Sequence, residues 1–162
     1  MLSVLDLYGR DAFGGIVGHM SIRLAYVLLA VRDFDEAIAW YHDKLGFEVR
    51  MDNSSVPGLR FVAIAPKGQP GCEVSLVAPN PKIQGPEGAR EVAESIGQNP
   101  LWVMHTDDCM RTYRELKDKG VKFTSPPERL PWGASAMFND LYGNPYNLVE
   151  RPKGAPAPRL GP

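Results

Sequence analysis

The sequence predicts an α+β domain of two tandem βαβββ modules facing each other across a central cleft. Three observations predict it. First, the chain repeats itself: YVLLAVRDFDEAIAWYHDK, from Tyr26 to Lys44, is answered 75 positions later by LWVMHTDDCMRTYRELKDK, from Leu101 to Lys119. Second, each copy runs from apolar alternation through an aspartate into a helical period and closes on a glycine, Gly46 or Gly120. Third, each copy is followed by three short extended segments separated by turn residues. A repeat is a supersecondary unit that cannot bury its apolar face alone, so two copies imply a shared core with a groove between them.

Leu24 to Val31 reads as a strand from its branched and apolar content. Asp33 is placed to cap the helix that follows, and Glu36 at the third helical position completes a capping box. Phe34, Ala37, Ile38, Tyr41 and Leu45 then fall on one face, and Lys44 and Gly46 supply the terminal cation and left-handed closing residue. Asp108 is the second cap, with Cys109, Thr112, Tyr113 and Leu116 as its apolar face. Phe47 to Met51, Arg60 to Ala65 and Glu73 to Val77 are the remaining strands of the first module. Lys122 to Thr124, Ala134 to Phe138 and Tyr146 to Glu150 are their counterparts. Lys67-Gly68, Pro70-Gly71 and Tyr142-Gly143-Asn144 carry turn chemistry. The organisation expected is an extension over 1–21 and one domain over 22–150, followed by a Pro- and Gly-rich tail over 151–162. The domain comprises modules 22–77 and 101–150, joined by a crossover over 78–100 with a short helix from Glu87 to Ile96.

The totals exclude several classes of function. Among 162 residues, 18 basic and 19 acidic side chains are mixed along the chain, with no basic stripe, so nucleic acid is not an expected partner. No apolar run reaches the roughly 20 residues that span a bilayer, so no membrane association is expected. The opening segment has no basic n-region, and two cysteines, Cys72 and Cys109, are too few for a disulfide scaffold. Two free thiols and a cytoplasmic location are the expectation.

The arrangement resembles the vicinal oxygen chelate superfamily, which includes glyoxalase I, extradiol dioxygenases and bleomycin-type resistance proteins. The likeness is carried by VRDFDEAIAWYHDKLGFEV, TDDCMRTYRELKDKGVKF and PWGASAMFNDLYGNPYNLVE, in the family's order, over Leu24 to Glu150. It implies the glyoxalase/bleomycin-resistance fold, a curved mixed sheet around a central cleft. The closing turn departs from the family's Asp-Pro-x-Gly-Asn, reading Asp140-Leu141-Tyr142-Gly143-Asn144. Metal-using members hold an ion at four seats filled by His, Glu or Gln. Transferred by position, the seats fall on Tyr26, Ser75, Leu101 and Asn147. Leu has no donor atom, Ser and Asn are weak neutral donors, and a tyrosine hydroxyl stays protonated until pH ~10. No metal and no cofactor are therefore expected, and glyoxalase or extradiol chemistry is disfavoured.

The expected function is binding of a small amphipathic or aromatic molecule by a cleft lacking the metal ligands. The resemblance also implies a homodimer. By alternation Tyr26, Leu28, Ser75, Leu101, Val103, His105 and Asn147 face the groove, and Trp132 sits at its mouth in the Pro-flanked loop PPERLPWG. Two alternatives stay open. One is a lyase or isomerase of the same fold using His105 or Tyr26 as acid–base group. The other is a metal-dependent glyoxalase or dioxygenase whose seats lie a position or two away. No catalytic residue is assigned.

Overall fold

The computed structural model describes residues 24–131 and 133–150, so the extension, the tail and Trp132 lie outside the described residues. The first module comprises β1 (Tyr26–Ala30), α1 (Phe34–Leu45), β2 (Phe47–Asn53), β3 (Phe61–Pro66) and β4 (Glu73–Val77). A crossover helix, α2 (Pro81–Ser95), leads to the second module. That module contains β5 (Trp102–Thr106), α3 (Cys109–Asp118), β6 (Lys122–Leu130), β7 (Gly133–Asn139) and β8 (Pro145–Glu150). Each module's strands form one four-stranded mixed sheet, ordered β1-β4-β3-β2 and β5-β8-β7-β6. In each sheet the first strand pairs parallel to the last, and the other pairings are antiparallel.

The helices begin and end for the reasons visible in the sequence. Asp33 and Asp108 are extended N-caps whose carboxylates accept from the Glu36 and Arg111 N–H groups, both at 2.8 Å. Gly46 closes α1 with φ 70°, a left-handed value that suits glycine. The capping box at α1 is half replaced, however. The Glu36 carboxylate does not turn back to Asp33; it accepts from the Tyr142 hydroxyl at 3.0 Å. That hydroxyl also lies 3.5 Å from the Asp33 N–H. A side chain from the second module thus serves a helix start in the first.

Two element boundaries also need correction. The crossover helix starts at Pro81, earlier than Glu87, behind an Asn80 N-cap, and breaks at Gly85 (φ 74°, ψ 168°). The break has a local cause: the Pro86 ring disfavours helical geometry at the residue before it, and Gly85 readily takes a positive φ. Strand β6 does not stop at Thr124 but runs through Pro126 and Pro127 to Leu130, so most of the segment read as a loop is strand. Proline lacks the N–H that an interior strand donates, but β6 is an edge strand. Its ladder with β7 shifts register between Phe123 and Ser125 and again between Ser125 and Glu128.

One core serves both modules. Leu29, Val31, Ala37, Tyr41 and Ile64 from the first are buried together with Cys109, Ala136, Phe138, Tyr146 and Leu148 from the second. At its centre the Tyr41 hydroxyl donates to the Asp140 carboxylate at 2.6 Å and lies 2.7 Å from the Tyr146 hydroxyl. Burial, with the neighbouring ring and carboxylate, raises the Tyr41 pKa far above its ordinary value. Asp140 also accepts from the Tyr142 and Asn144 N–H groups, both at 2.9 Å, and from Asn144 Nδ2 at 2.8 Å. A buried carboxylate with this many donors is satisfied without a cation. The Asn144 side-chain oxygen in turn accepts from the Asn99 N–H at 3.0 Å, which ties the crossover to the same turn. No helix among the described residues is long and apolar enough to cross a membrane.

Candidate functional site

Side chains alternate across each sheet, so one face joins the shared core and the other points away from it. In the first module the outer face carries Leu28, opposite Ser75 on β4, which is in turn opposite Ala63 on β3. In the second, Val103 lies opposite Asn147 on β8, which is opposite Met137 on β7. Leu28 is 64% exposed and Val103 56%, whereas Ser75 is buried. Tyr26 is half-buried and meets Phe61 edge-on, with ring centroids 5.5 Å apart. The Asn147 Oδ1 atom is buried and has no hydrogen-bond partner among the described residues.

Five of the eight sequence-derived site residues divide between two cavities. Leu28 and Ser75 line a space of about 250 Å³ on the first sheet's outer side, roofed by Asn80, Ile83 and Gln84 from the start of the crossover helix. Arg60 stands at the same space, its guanidinium 5.5 Å from the Phe34 ring centre and bonded to Asp52 (2.7 Å) and Asp35 (2.8 Å). Hydrogen bonding to Arg60 holds the Asp52 carboxyl below its ordinary pKa. Leu101, Val103 and His105 instead line a larger cavity of about 560 Å³ between the modules. Among the described residues these five are therefore not gathered into one cavity.

The larger cavity draws on the core-facing surfaces that alternation alone assigns to packing. Val27, Phe47 and Val74 come from the first module, and Trp102, Met104 and Leu148 from the second. Its polar lining is Gln69, Cys72, His105, Thr106 and Thr112, and among the described residues no Asp, Glu, Lys or Arg lines it. Thr106 and Thr112 pair their hydroxyls at 2.7 Å. His105 is exposed and makes no side-chain hydrogen bond or ion pair among the described residues. Cys72 is a half-buried free thiol on the wall, while burial raises the pKa of the Cys109 thiol and keeps it out of reach. Sequence reasoning misses Gln69, Cys72, Thr106 and Thr112 among the polar walls and Val27, Phe47, Val74 and Met104 among the apolar ones. Their apolar periodicity was visible, but nothing local distinguishes a packed position from a cavity wall.

Among the described residues, no three His, Cys, Asp or Glu side chains converge where an ion would be held.

Comparison with known proteins adds to this picture. A family model described as the Glyoxalase/Bleomycin resistance protein/Dioxygenase superfamily matches residues 23–148. An uncharacterised protein of Shewanella frigidimarina is 31% identical over 132 residues, 81% of this chain and 95% of its own. Among solved structures, UcmS2 is 34% identical with a TM-score of 0.70, over 81% of this chain and 99% of that one. TnmS3, an antibiotic binding protein from Streptomyces sp. CB03234, is 27% identical with a TM-score of 0.61, over 83% of this chain and 100% of that one.

Proposed function

Because the chain belongs to the glyoxalase/bleomycin resistance protein/dioxygenase superfamily, we propose that it is a metal-free member that binds a small amphipathic molecule between its modules. The observation that carries this reading is the cavity of about 560 Å³, walled by apolar side chains from both modules with a few polar groups. That volume and that mixture are what ligand sites present. At roughly 0.3 kcal/mol per atom, a ligand of about 20 heavy atoms gains about 6 kcal/mol, a dissociation constant of tens of micromolar. The likeness to a protein described as antibiotic-binding supports the same class of function.

The seat residues support the metal-free part. Tyr26, Ser75, Leu101 and Asn147 include no carboxylate, imidazole or thiolate, so they do not fit a divalent cation. The first module's outer face supports a homodimer. Leu28 and Met51 are large apolar side chains left exposed there by a single chain, and a second copy seated on that face would cover them.

Titration with the neutral fluorescent probe N-phenyl-1-naphthylamine tests the reading. Saturable binding at one site per chain, unchanged by a chelator, is expected. Thr112→Trp, which fills the cavity from α3, should weaken binding at least tenfold while the melting temperature stays within a few degrees. Absence of saturable binding overturns the proposal, as does a stoichiometric ion held at the four seats. Sedimentation equilibrium checks the homodimer, which Met51→Lys should dissociate.

A further inference from the structure

Four strands end the two sheets: β1, β2, β5 and β6. An uncovered edge is a row of unpaired N–H and C=O groups, and folded proteins blunt such edges with charge, proline or bulges. Strand β2 carries Glu48, Arg50 and Asp52 and shifts register between Val49 and Met51. Strand β6 carries Lys122, Glu128, Arg129, two prolines and two register shifts. The edge of β1 is met by the crossover, where Asn99 Nδ2 donates to the Leu28 carbonyl at 3.1 Å.

Strand β5 has none of these devices. Its sequence, WVMHT, holds no proline and no Asp, Glu, Lys or Arg, and its ladder with β8 runs without a shift. Among the described residues, no backbone bond outside that ladder involves Trp102–Thr106. In a parallel pair, alternate residues point their N–H and C=O away from the partner. All five residues of β5, with Leu101 before them, line the cavity of about 560 Å³. The bare edge therefore opens onto the apolar cavity.

We propose that the free edge of β5 is a strand-addition site, and that the cavity's ligand is an uncharged, peptide-like chain with apolar side groups. This rests on the reading of the cavity as the ligand site. The amides of such a chain would pair with β5, and its alternate side groups would fall on opposite faces. One set meets Val27, Phe47 and Val74; the other runs along Leu101, Val103 and His105. At roughly 3.3 Å per extended residue, the five residues of β5 match a ligand of about five residues. With no Asp, Glu, Lys or Arg among the described lining residues to pair it, a charged group on the inward-facing side would be desolvated without compensation. A recessed wall suits separate inserted side groups, which favours a short ligand over a strand of a second copy.

The test uses the full chain and three probes: an acetylated, amidated pentapeptide Thr-Val-Leu-Val-Thr, two forms of it N-methylated at alternate amides, and N-phenyl-1-naphthylamine. Binding is followed by amide NMR. The unmodified peptide should saturate one site and shift the amides of residues 102–106. One N-methylated form, which blocks the amides facing β5, should bind at least tenfold more weakly than the other. Val103→Lys, at an exposed position, should weaken the peptide at least tenfold. If all the peptides bind alike, or if the naphthylamine binds and no peptide does, strand addition is overturned while the cavity remains a ligand site. If neither peptide nor naphthylamine binds, the cavity reading falls as well. If β5 proves to be covered by a second copy that peptide does not displace, the proposed occupant is wrong.

Discussion

The two modules share a topology and a repeat, yet the turn between the last two strands of each does different work. In the first module it runs from Lys67 to Cys72 and is exposed to solvent up to Gly71. In the second it is Asp140 to Asn144, whose buried carboxylate takes hydrogen bonds from the turn itself and from Tyr41 of the first module. The outer faces differ as well. The crossover helix roofs the first module's face around Ser75, while Val103 and His105 of the second stand exposed. The comparison teaches that duplication specifies a fold twice but does not specify how the copies are joined. The joining is concentrated in the second module's turn and in the crossover.

Several substitutions test this asymmetry. The largest effect is expected at Asp140→Ala, which leaves buried donors on Tyr41, Tyr142 and Asn144 unpaired. Chemical denaturation should show a loss of about 3–5 kcal/mol. Lys67→Ala, in the first module's equivalent hairpin, should stay within about 0.5 kcal/mol. Equal losses at the two turns would erase the distinction.

Gly97→Ala comes next. Gly97 has φ 79°, and a Cβ there would collide with the Tyr142 carbonyl oxygen, so the crossover could not keep its seat against the turn. A loss of about 2–3 kcal/mol is expected in the same assay. Tyr41→Phe removes one donor to Asp140 and the partner of the Tyr146 hydroxyl, and should lower stability by about 1–2 kcal/mol. Its helical counterpart, eight residues past the cap in the second module, is Leu116, which brings no polar group to the junction.

The smallest expected effect is a pH dependence. Burial pushes the Tyr142 hydroxyl up to about 12 from its ordinary 10.0. A raised value means that the stability linked to the protonated hydroxyl is complete below pH 10 and is lost as pH climbs through about 12. Melting temperatures measured from pH 9 to 12 should fall over that window. Tyr142→Phe should flatten the fall, leaving what Tyr41 and Tyr146 contribute, since burial raises both of them in the same direction.

Much of the architecture was legible from local chemistry. Asp33 and Asp108 announced the helix starts, Gly46 an end, and apolar alternation located β4 from Glu73 to Val77. The strand β6 was misread because Pro126 and Pro127 argue against an interior strand, and a sequence does not declare which strand will lie at an edge. The candidate site was legible in part. Leu28 and Ser75 share a face because strand alternation is a local rule, whereas the cavity joining Leu101, Val103 and His105 to Val27, Phe47 and Val74 is not local. The Tyr142 hydroxyl could not have been assigned to Glu36 from the sequence, since the two lie 106 positions apart.

The sequence by itself determined the repeated βαβββ units and their caps, because each depends on residues within a few positions of one another. Tertiary structure alone decided which apolar side chains pack and which wall a cavity. It also decided which strand edge stays bare and where the Asp140 carboxylate finds its fourth donor. Those outcomes depend on the docking of one module against the other, and that docking is set by shape and hydrogen bonding across distances that local periodicity does not record.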